Sequence, residues 1–175
     1  MQRIVIIGTT GSGKTTLARD IAARLGLAAV DLDDLYWLPG WQARGDDDFA
    51  SAAEAALSGD KWVVSGNYTR LRPVIWPKAD TLVWIDYPFL TVLGQLLLRS
   101  IRRARNKTMI CNGNYEAWPR LFSRDSIIWW FFKTYPKNAR RYAELFAQPE
   151  DWPNMRFIRL RTRSETEEFL KGLHP

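Results

Sequence analysis

The chain is nearly devoid of the side chains that build soft metal sites and redox centres. Its one cysteine, Cys111, excludes an internal disulfide and a cysteine cluster for zinc, and its one histidine, His174, lies beside the C-terminus. Metal chemistry in such a chain means a hard cation on oxygen ligands, and Mg²⁺ is the expected ion. No apolar run approaches the roughly 18 residues of a membrane span, and no internal repeat or low-complexity segment is present. The first apolar strand begins at Arg3, which leaves no room for a signal peptide, so a cytoplasmic protein without a membrane partner is expected.

Acidic residues are scarce where basic ones gather. Residues 1–98 hold 9 basic and 11 acidic side chains, whereas residues 99–175 hold 16 and 8, so the net charge of +6 arises entirely in the second part. Nucleic acid is one partner that fits such an excess. Arginines that clamp a bound triphosphate are the other, and the preferred, reading. A length of 175 residues suits one domain, 1–175, with a full core and small inserts, acting as a monomer or a homodimer.

What the chain has in full is a phosphate-binding pattern. Gly8-Thr9-Thr10-Gly11-Ser12-Gly13-Lys14-Thr15 matches G-x-x-x-x-G-K-[ST] between an apolar run, Arg3–Ile7, and a helical stretch. Glycine at positions 8, 11 and 13 lets backbone N–H groups converge on phosphates, Lys14 reaches the β- and γ-phosphates, and Thr15 offers its hydroxyl to Mg²⁺. With Thr10, Ser12 and Thr16, these residues are the candidate nucleotide ligands.

Further along, Leu17, Ile21 and Leu25 recur at helical spacing and Gly26 ends the stripe, which predicts a helix over 13–25. A short strand over Leu27–Val30 leads into Asp31-Leu32-Asp33-Asp34. Strand periodicity puts Asp31 and Asp33 on one side at the strand's C-terminal end, where parallel sheets bind ligands, so both are candidates for Mg²⁺ or an acceptor. Residues 35–60 combine aromatics (Tyr36, Trp37, Trp41) with a helix starting at Asp46–Asp48, an insert that either folds over the acceptor or uses its aromatics simply to pack itself. A third strand, Trp62–Val64, precedes Ser65-Gly66-Asn67-Tyr68. Gly66, Asn67 and Arg70 are substrate-side candidates, with Arg72 nearby, and Thr81–Ile85 is a fourth strand.

Phe89–Arg105 reads as a helix whose end carries Arg99, Arg102, Arg103 and Arg105, more cation than a helix C-terminus needs. Residues 103–125 are read as a lid. Ile127–Phe146 reads as a long helix, kinked or broken at Pro136, whose aromatics serve the core or a partner surface in preference to a base-stacking platform. Arg140, with Arg141, is expected to return to bound phosphate. Met155–Leu160 is a fifth strand, and Ser164 with Glu167 a capping box for the last helix. Strands alternating with helices predict an α/β fold on a parallel sheet.

These stretches resemble the adenylate-kinase-like group of P-loop kinases and, within it, the bacterial DNA topology modulation proteins, over nearly the whole chain. The likeness is carried by GTTGSGKTT, DLDDLYWLPGW, SGNY, ADTLVWIDYP, the arginines from Arg99 on, YPKNARRY and LRTRSE. It implies a three-layer P-loop fold, a five-stranded sheet in the order 2-3-1-4-5 with helices on both faces, and a small lid that closes on ATP. It also implies that Arg99 and Arg103 belong to the lid region and that Arg161 with Thr162 lies beside the base of ATP. Two departures stand out. Adenylate kinases carry an aspartate where this chain has Ser65, and Asp31-x-Asp33 resembles the pair in shikimate kinases, where a carboxylate faces an acceptor hydroxyl.

The expected function is Mg²⁺-assisted transfer of the γ-phosphoryl group of ATP to a small molecule, a nucleotide before a hydroxyl compound, with Lys14, Asp33, Arg99 and Arg103 in the catalytic roles. A nucleic-acid-associated ATP-binding protein and a slow ATPase switch are the alternatives.

Overall fold

The strand β1 (Arg3–Gly8) is buried from Ile4 onward on both of its faces, which requires a sheet covered on both sides. The computed structural model describes residues 1–116, 118–121, 123 and 126–174. Around β1 stand β2 (Ala28–Asp31), β3 (Trp62–Ser65), β4 (Thr81–Ile85) and β5 (Arg156–Leu160). All neighbours pair in parallel in the order β2-β3-β1-β4-β5. Numbered without the short ribbons between them, this is the order that the resemblance implies.

Alternation assigns the two layers. Val5 and Ile7 join Val64, Leu82 and Trp84 on one face, packed on Phe49 and Ala53 of α3 (Asp46–Ala56), Ile75 of α4 (Arg72–Ile75) and Tyr142 of α7 (Ile127–Phe146). Ile4 and Ile6 join Val63, Val83 and Ile85 on the other, against Leu17 and Ile21 of α1 (Lys14–Leu25), Val92 and Leu96 of α5 (Phe89–Asn106) and Phe131 of α7. Each such buried side chain contributes about 1.5–3 kcal/mol. The fold is therefore α/β in three layers. Among the described residues no helix is long and apolar enough to cross a membrane.

Three local expectations are corrected. Pro136 does not break α7, which runs from Ile127 to Phe146; proline removes the bond to the Phe132 carbonyl, and the packing of Phe131 and Tyr142 on either side holds the rest. The last helix, α8 (Arg163–Lys171), is capped by Thr162 rather than Ser164. Thr162 Oγ1 accepts from Glu165 N at 3.1 Å, and Glu165 accepts from Arg161 N at 2.6 Å. Thr162–Glu165 and Ser164–Glu167 both fit the capping pattern, and the one nearer the strand end is used. Asp33 is not on a strand: β2 ends at Asp31, which caps α2 (Leu32–Tyr36) by accepting from Asp33 N at 3.1 Å.

Two ribbons cover the C-terminal end of the sheet, Trp37–Leu38 paired with Gln42–Ala43 and Met109–Ile110 paired with Asn114–Tyr115. Residues 103–125, read as a lid, begin inside α5, continue through the second ribbon and α6 (Trp118–Leu121), and include 117, 122, 124 and 125, which lie outside the described residues. At the opposite end of the sheet, Asp80 ties down the start of the chain. Its carboxylate accepts from Gln2 N at 2.7 Å, Arg3 N at 2.9 Å and the Thr81 hydroxyl at 2.6 Å. Burial pushes this carboxyl up, but the Thr81 hydroxyl and the two N–H groups outweigh it and leave it below the ordinary carboxylate value.

Candidate active site

The phosphate loop turns where β1 ends. Gly8 and Gly11 have φ of +152° and +80°, and a Cβ on either would lie 2.8 Å from the Ile85 carbonyl oxygen or the Leu96 Cβ, so both positions demand glycine. The ladder between β1 and β3 closes at Ile6 and Ser65. Beyond it the Asn67 amide replaces a strand neighbour: its nitrogen donates to Gly8 O at 2.5 Å and its oxygen accepts from Gly8 N at 3.2 Å. Asn67, expected among the substrate ligands, has its amide committed to holding the loop.

Lys14 donates to Thr9 O at 3.0 Å. Burial pushes its ammonium down to about 8, helped by Arg99 and opposed by Asp33 and Asp31. Its neighbour Thr15 donates to Asp31 at 2.6 Å. This pair gives oxygen donors at the loop without the aspartate missing at Ser65, whose hydroxyl is buried and without a partner among the described residues. Ser12 likewise carries a buried, unpartnered hydroxyl within the loop.

Asp33 opens onto the cleft, yet the surrounding walls displace bulk water. That desolvation, and the charge of Asp31, raise its carboxyl above the ordinary value, against the pull of Tyr68, Lys14 and Arg99. The Tyr68 hydroxyl donates to Asp33 Oδ1 at 2.7 Å; burial and the nearby carboxylate raise its own pKa, so it stays a donor. Cys111, also on the cleft wall, is pushed up to about 12 by burial and by Asp33, Asp34 and Asp31, and remains an inert thiol.

The cover is assembled from both ribbons. Asn112 donates to the carbonyls of Asp34 (2.7 Å) and Trp37 (2.6 Å). Asn114 donates to Leu38 O at 3.0 Å and accepts from Trp41 N at 2.7 Å, and the Trp41 indole donates to Tyr115 O at 3.3 Å. Beneath it, Arg103 pairs with Glu116 at 2.8 Å. Arg99 is depressed by burial and by Arg103, and its Nε finds no hydrogen-bond partner among the described residues.

The cleft has two lobes. One, of about 870 Å³, is lined by Thr10 through Thr16, Asp31, Arg99, Arg103 and Arg163. The other, of about 900 Å³, is lined by Tyr36, Trp37, Trp41, Tyr68, Arg70, Trp129 and Trp130. Thr10, Lys14, Asp33, Gly66 and Glu116 line both.

Other expected residues lie elsewhere or are engaged. Arg140 is exposed on α7 and pairs with Glu144 at 2.9 Å, one helical turn away, and Arg141 donates to Thr69 at 2.8 Å. Arg70 borders the second lobe but is neutralised by Asp46 and stacked 4.6 Å from the Tyr36 ring. Thr162 is spent as a cap and the Arg161 N–H on Glu165, so Arg163 and Thr166 border the first lobe in their place. Sequence reasoning also missed Gln95, Tyr68 and Glu116. In the orientation that satisfies both ends, Gln95 donates to Gly11 O at 2.9 Å and accepts from the Arg163 guanidinium at 3.0 Å. The capping box at Thr162 was the signal that would have placed Arg163 in the first turn of α8. Trp129 and Trp130, expected in the core or on a partner surface, wall the second lobe at 59% and 55% exposure, while Phe131 is core.

No family model matches the chain. A curated protein, threonine synthase-like 1 of Macaca fascicularis, is 27% identical in an alignment 117 residues long, with 58% of this chain but only 16% of that protein covered. Among solved structures, a gluconokinase from Sinorhizobium meliloti has 16% identity over 97% of this chain and 91% of its own, with a TM-score of 0.52. A sugar kinase from a Janibacter species has 17% identity over 98% and 91%, with a TM-score of 0.52. A shikimate kinase from Bacteroides thetaiotaomicron has 17% identity over 97% and 94%, with a TM-score of 0.53. At these identities the likeness shows the architecture: the chain has the fold of P-loop kinases of small molecules.

Proposed function

We propose that the chain is an ATP-dependent phosphotransferase that moves the γ-phosphoryl group of ATP to a hydroxyl of a small molecule. The observation that carries this reading is the joint of the cleft. Lys14 and Asp33 line both lobes, so a loop suited to a triphosphate meets a carboxylate suited to an acceptor hydroxyl. The names of the structural neighbours, a gluconokinase, a sugar kinase and a shikimate kinase, support it.

The loop N–H groups and the N-terminus of α1 would bind the phosphates, with Lys14 between the transferring group and its leaving oxygen. Thr15 and Asp31 fit Mg²⁺, which takes one or two protein oxygens and completes its shell with phosphate and water. When bound, that ion withdraws charge from the phosphoryl oxygens. Arg99 and Arg103 stand ready for the charge that spreads in a loose transition state. Asp33, with its proton affinity raised by desolvation and by Asp31, suits acceptance of the hydroxyl proton, while Tyr68 fixes one carboxylate oxygen and leaves the other to the acceptor. The cover would exclude water and favour transfer over hydrolysis.

The nucleotide acceptor is the second reading. The exposed rings of Trp129 and Trp130 favour it as a stacking surface for a base; the engagement of Arg70 with Asp46 weighs against it, because an acceptor phosphate loses its expected clamp. The nucleic-acid alternative would rest on the exposed arginines of the second half, such as Arg102 and Arg105, and not on all of its basic residues. Arg99, Arg103 and Arg163 face the cleft, and Arg140 and Arg159 are paired with Glu144 and Asp86.

The test is ADP release with Mg²⁺ and ATP in the presence of sugars and polyols, hydroxy acids, nucleosides and nucleoside monophosphates. Stimulation by a hydroxyl compound that vanishes in Lys14→Ala is the expected result. Equal ADP release with and without every acceptor would overturn the reading in favour of an ATPase.

A further inference from the structure

Glu116 carries an oxygen that the fold does not use. The residue is 8% exposed, and its Oε1 accepts from Arg103 at 2.8 Å. Its Oε2 is buried without a hydrogen-bond partner among the described residues. A buried carboxylate oxygen left unpaired is unfavourable, and such a group is retained where a ligand completes it. Glu116 lies on the wall common to both lobes, where Asp33 also opens, so the acceptor lobe is bordered by two carboxylates.

The remaining walls bear on the occupant's charge. Arg70 is paired with an exposed Asp46 and stacked on the Tyr36 ring, Lys133 on the outer wall is exposed and screened by water, and Lys14 stands at the joint with the first lobe. Trp37, Trp129 and Trp130 offer flat apolar faces. Arg103 offsets the charge of Glu116, and Lys14 and Arg99 stand near Asp33, so discrimination rests on Oε2 itself: a buried oxygen without a donor is completed by a hydroxyl, whereas an anionic group brings no proton to it and meets it as a like charge.

We infer that Glu116 Oε2 receives a hydrogen bond from the acceptor and acts as a specificity residue. The acceptor then carries at least two hydroxyl donors, one presented to Asp33 and one to Glu116, has an apolar face for the tryptophans, and bears no anionic group between them: a non-anionic polyhydroxyl compound. This assignment rests on the kinase reading of the cleft.

The experiment uses neutral and anionic members of matched pairs, glucitol with gluconate, glycerol with glycerate, and adenosine with adenosine monophosphate. Binding is followed by tryptophan fluorescence with Mg²⁺ and a non-hydrolysable ATP analogue, and transfer by ADP release. In at least one pair the neutral member should bind about tenfold more tightly, and Glu116→Gln, which preserves size and the contact to Arg103, should remove about tenfold of that preference. The KM for ATP should change less than about threefold. If the anionic members bind better, if no neutral member binds, or if Glu116→Gln shifts the KM for ATP and leaves the preference intact, the inference is wrong and Glu116 only positions Arg103. A Glu116-dependent binding preference without any transfer would uphold the inference and overturn the kinase reading; transfer with a Glu116-independent preference would do the reverse.

Discussion

Asp80 and Asp33 stand at opposite ends of the same sheet, and the fold treats the two carboxylates in opposite ways. Asp80, at the N-terminal ends of the strands, receives three donors and is held below its ordinary value. Asp33, beyond their C-terminal ends, receives one side-chain donor among the described residues, Tyr68, and is held above it. Three donated bonds outweigh desolvation at Asp80, whereas one bond with a like charge nearby does not at Asp33. The lower end is complete within the protein. The upper end keeps a lysine depressed by burial, an arginine nitrogen without a partner among the described residues, and crowded carboxylates, the pattern of a site rather than of a structural tie.

The contrast is sharpest at Lys14. Lys14→Ala should lower phosphoryl transfer by about 10²–10³-fold, with a urea unfolding free energy within about 0.5 kcal/mol of the parent. A parallel loss of stability would mean that the upper end is structural after all. Asp33→Asn comes next, with kcat reduced at least about tenfold, roughly 1.4 kcal/mol of transition-state stabilisation.

Its effect on the ligand-free fold has a definite sign. A carboxyl raised in the folded state contributes stability fully below its unfolded value and loses it as pH rises through the folded one, so above that folded value the ionised Asp33 disfavours the fold. The melting temperature of Asp33→Asn relative to the parent should therefore rise as pH increases, and a relative fall with increasing pH would break the comparison.

Asp80→Ala should reverse the pattern. Kinetic constants stay at parental values, while the unfolding free energy falls by about 1–2 kcal/mol for three partly exposed hydrogen bonds. Because the Asp80 carboxyl is depressed, its contribution is present above the unfolded value, near about pH 4, and is lost as pH falls through the folded one. Denaturant titrations of parent and variant at a series of acidic pH values should converge over that window. The smallest effect belongs to Arg140→Ala. An exposed pair one helical turn apart is worth about 0.3–0.5 kcal/mol, and neither KM nor kcat should move.

The elements that sequence periodicity made legible are those whose burial is local. Thr81–Ile85 was readable to the residue because every position is buried, and α1 because a left-handed Gly26 ends it. The phosphate loop was equally plain, since each glycine answers a backbone demand. What remained hidden were commitments set by neighbours far along the chain. Asn67 reads as an acceptor ligand until Gly8, 59 residues away, takes both ends of its amide. Arg70 reads as a phosphate clamp until Asp46 neutralises it. Glu116 stood in a stretch poor in aliphatics, where no periodicity distinguishes a buried carboxylate from a solvated one, and only its pairing with Arg103 across the cover brings it inside.

The bonds from Asn112 and Asn114 to the carbonyls of Asp34, Trp37 and Leu38 sew together two stretches separated by more than 70 positions in the chain. Under the proposed function, a roof of one piece would not uncover a nucleotide without also loosening the acceptor side. Its opening, on the microsecond to millisecond scale typical of such covers, would then be the shared clock for both departures. Under that clock kcat would track solvent viscosity more closely than acceptor acidity, and tightening the seam would slow product escape before it touched the chemical step.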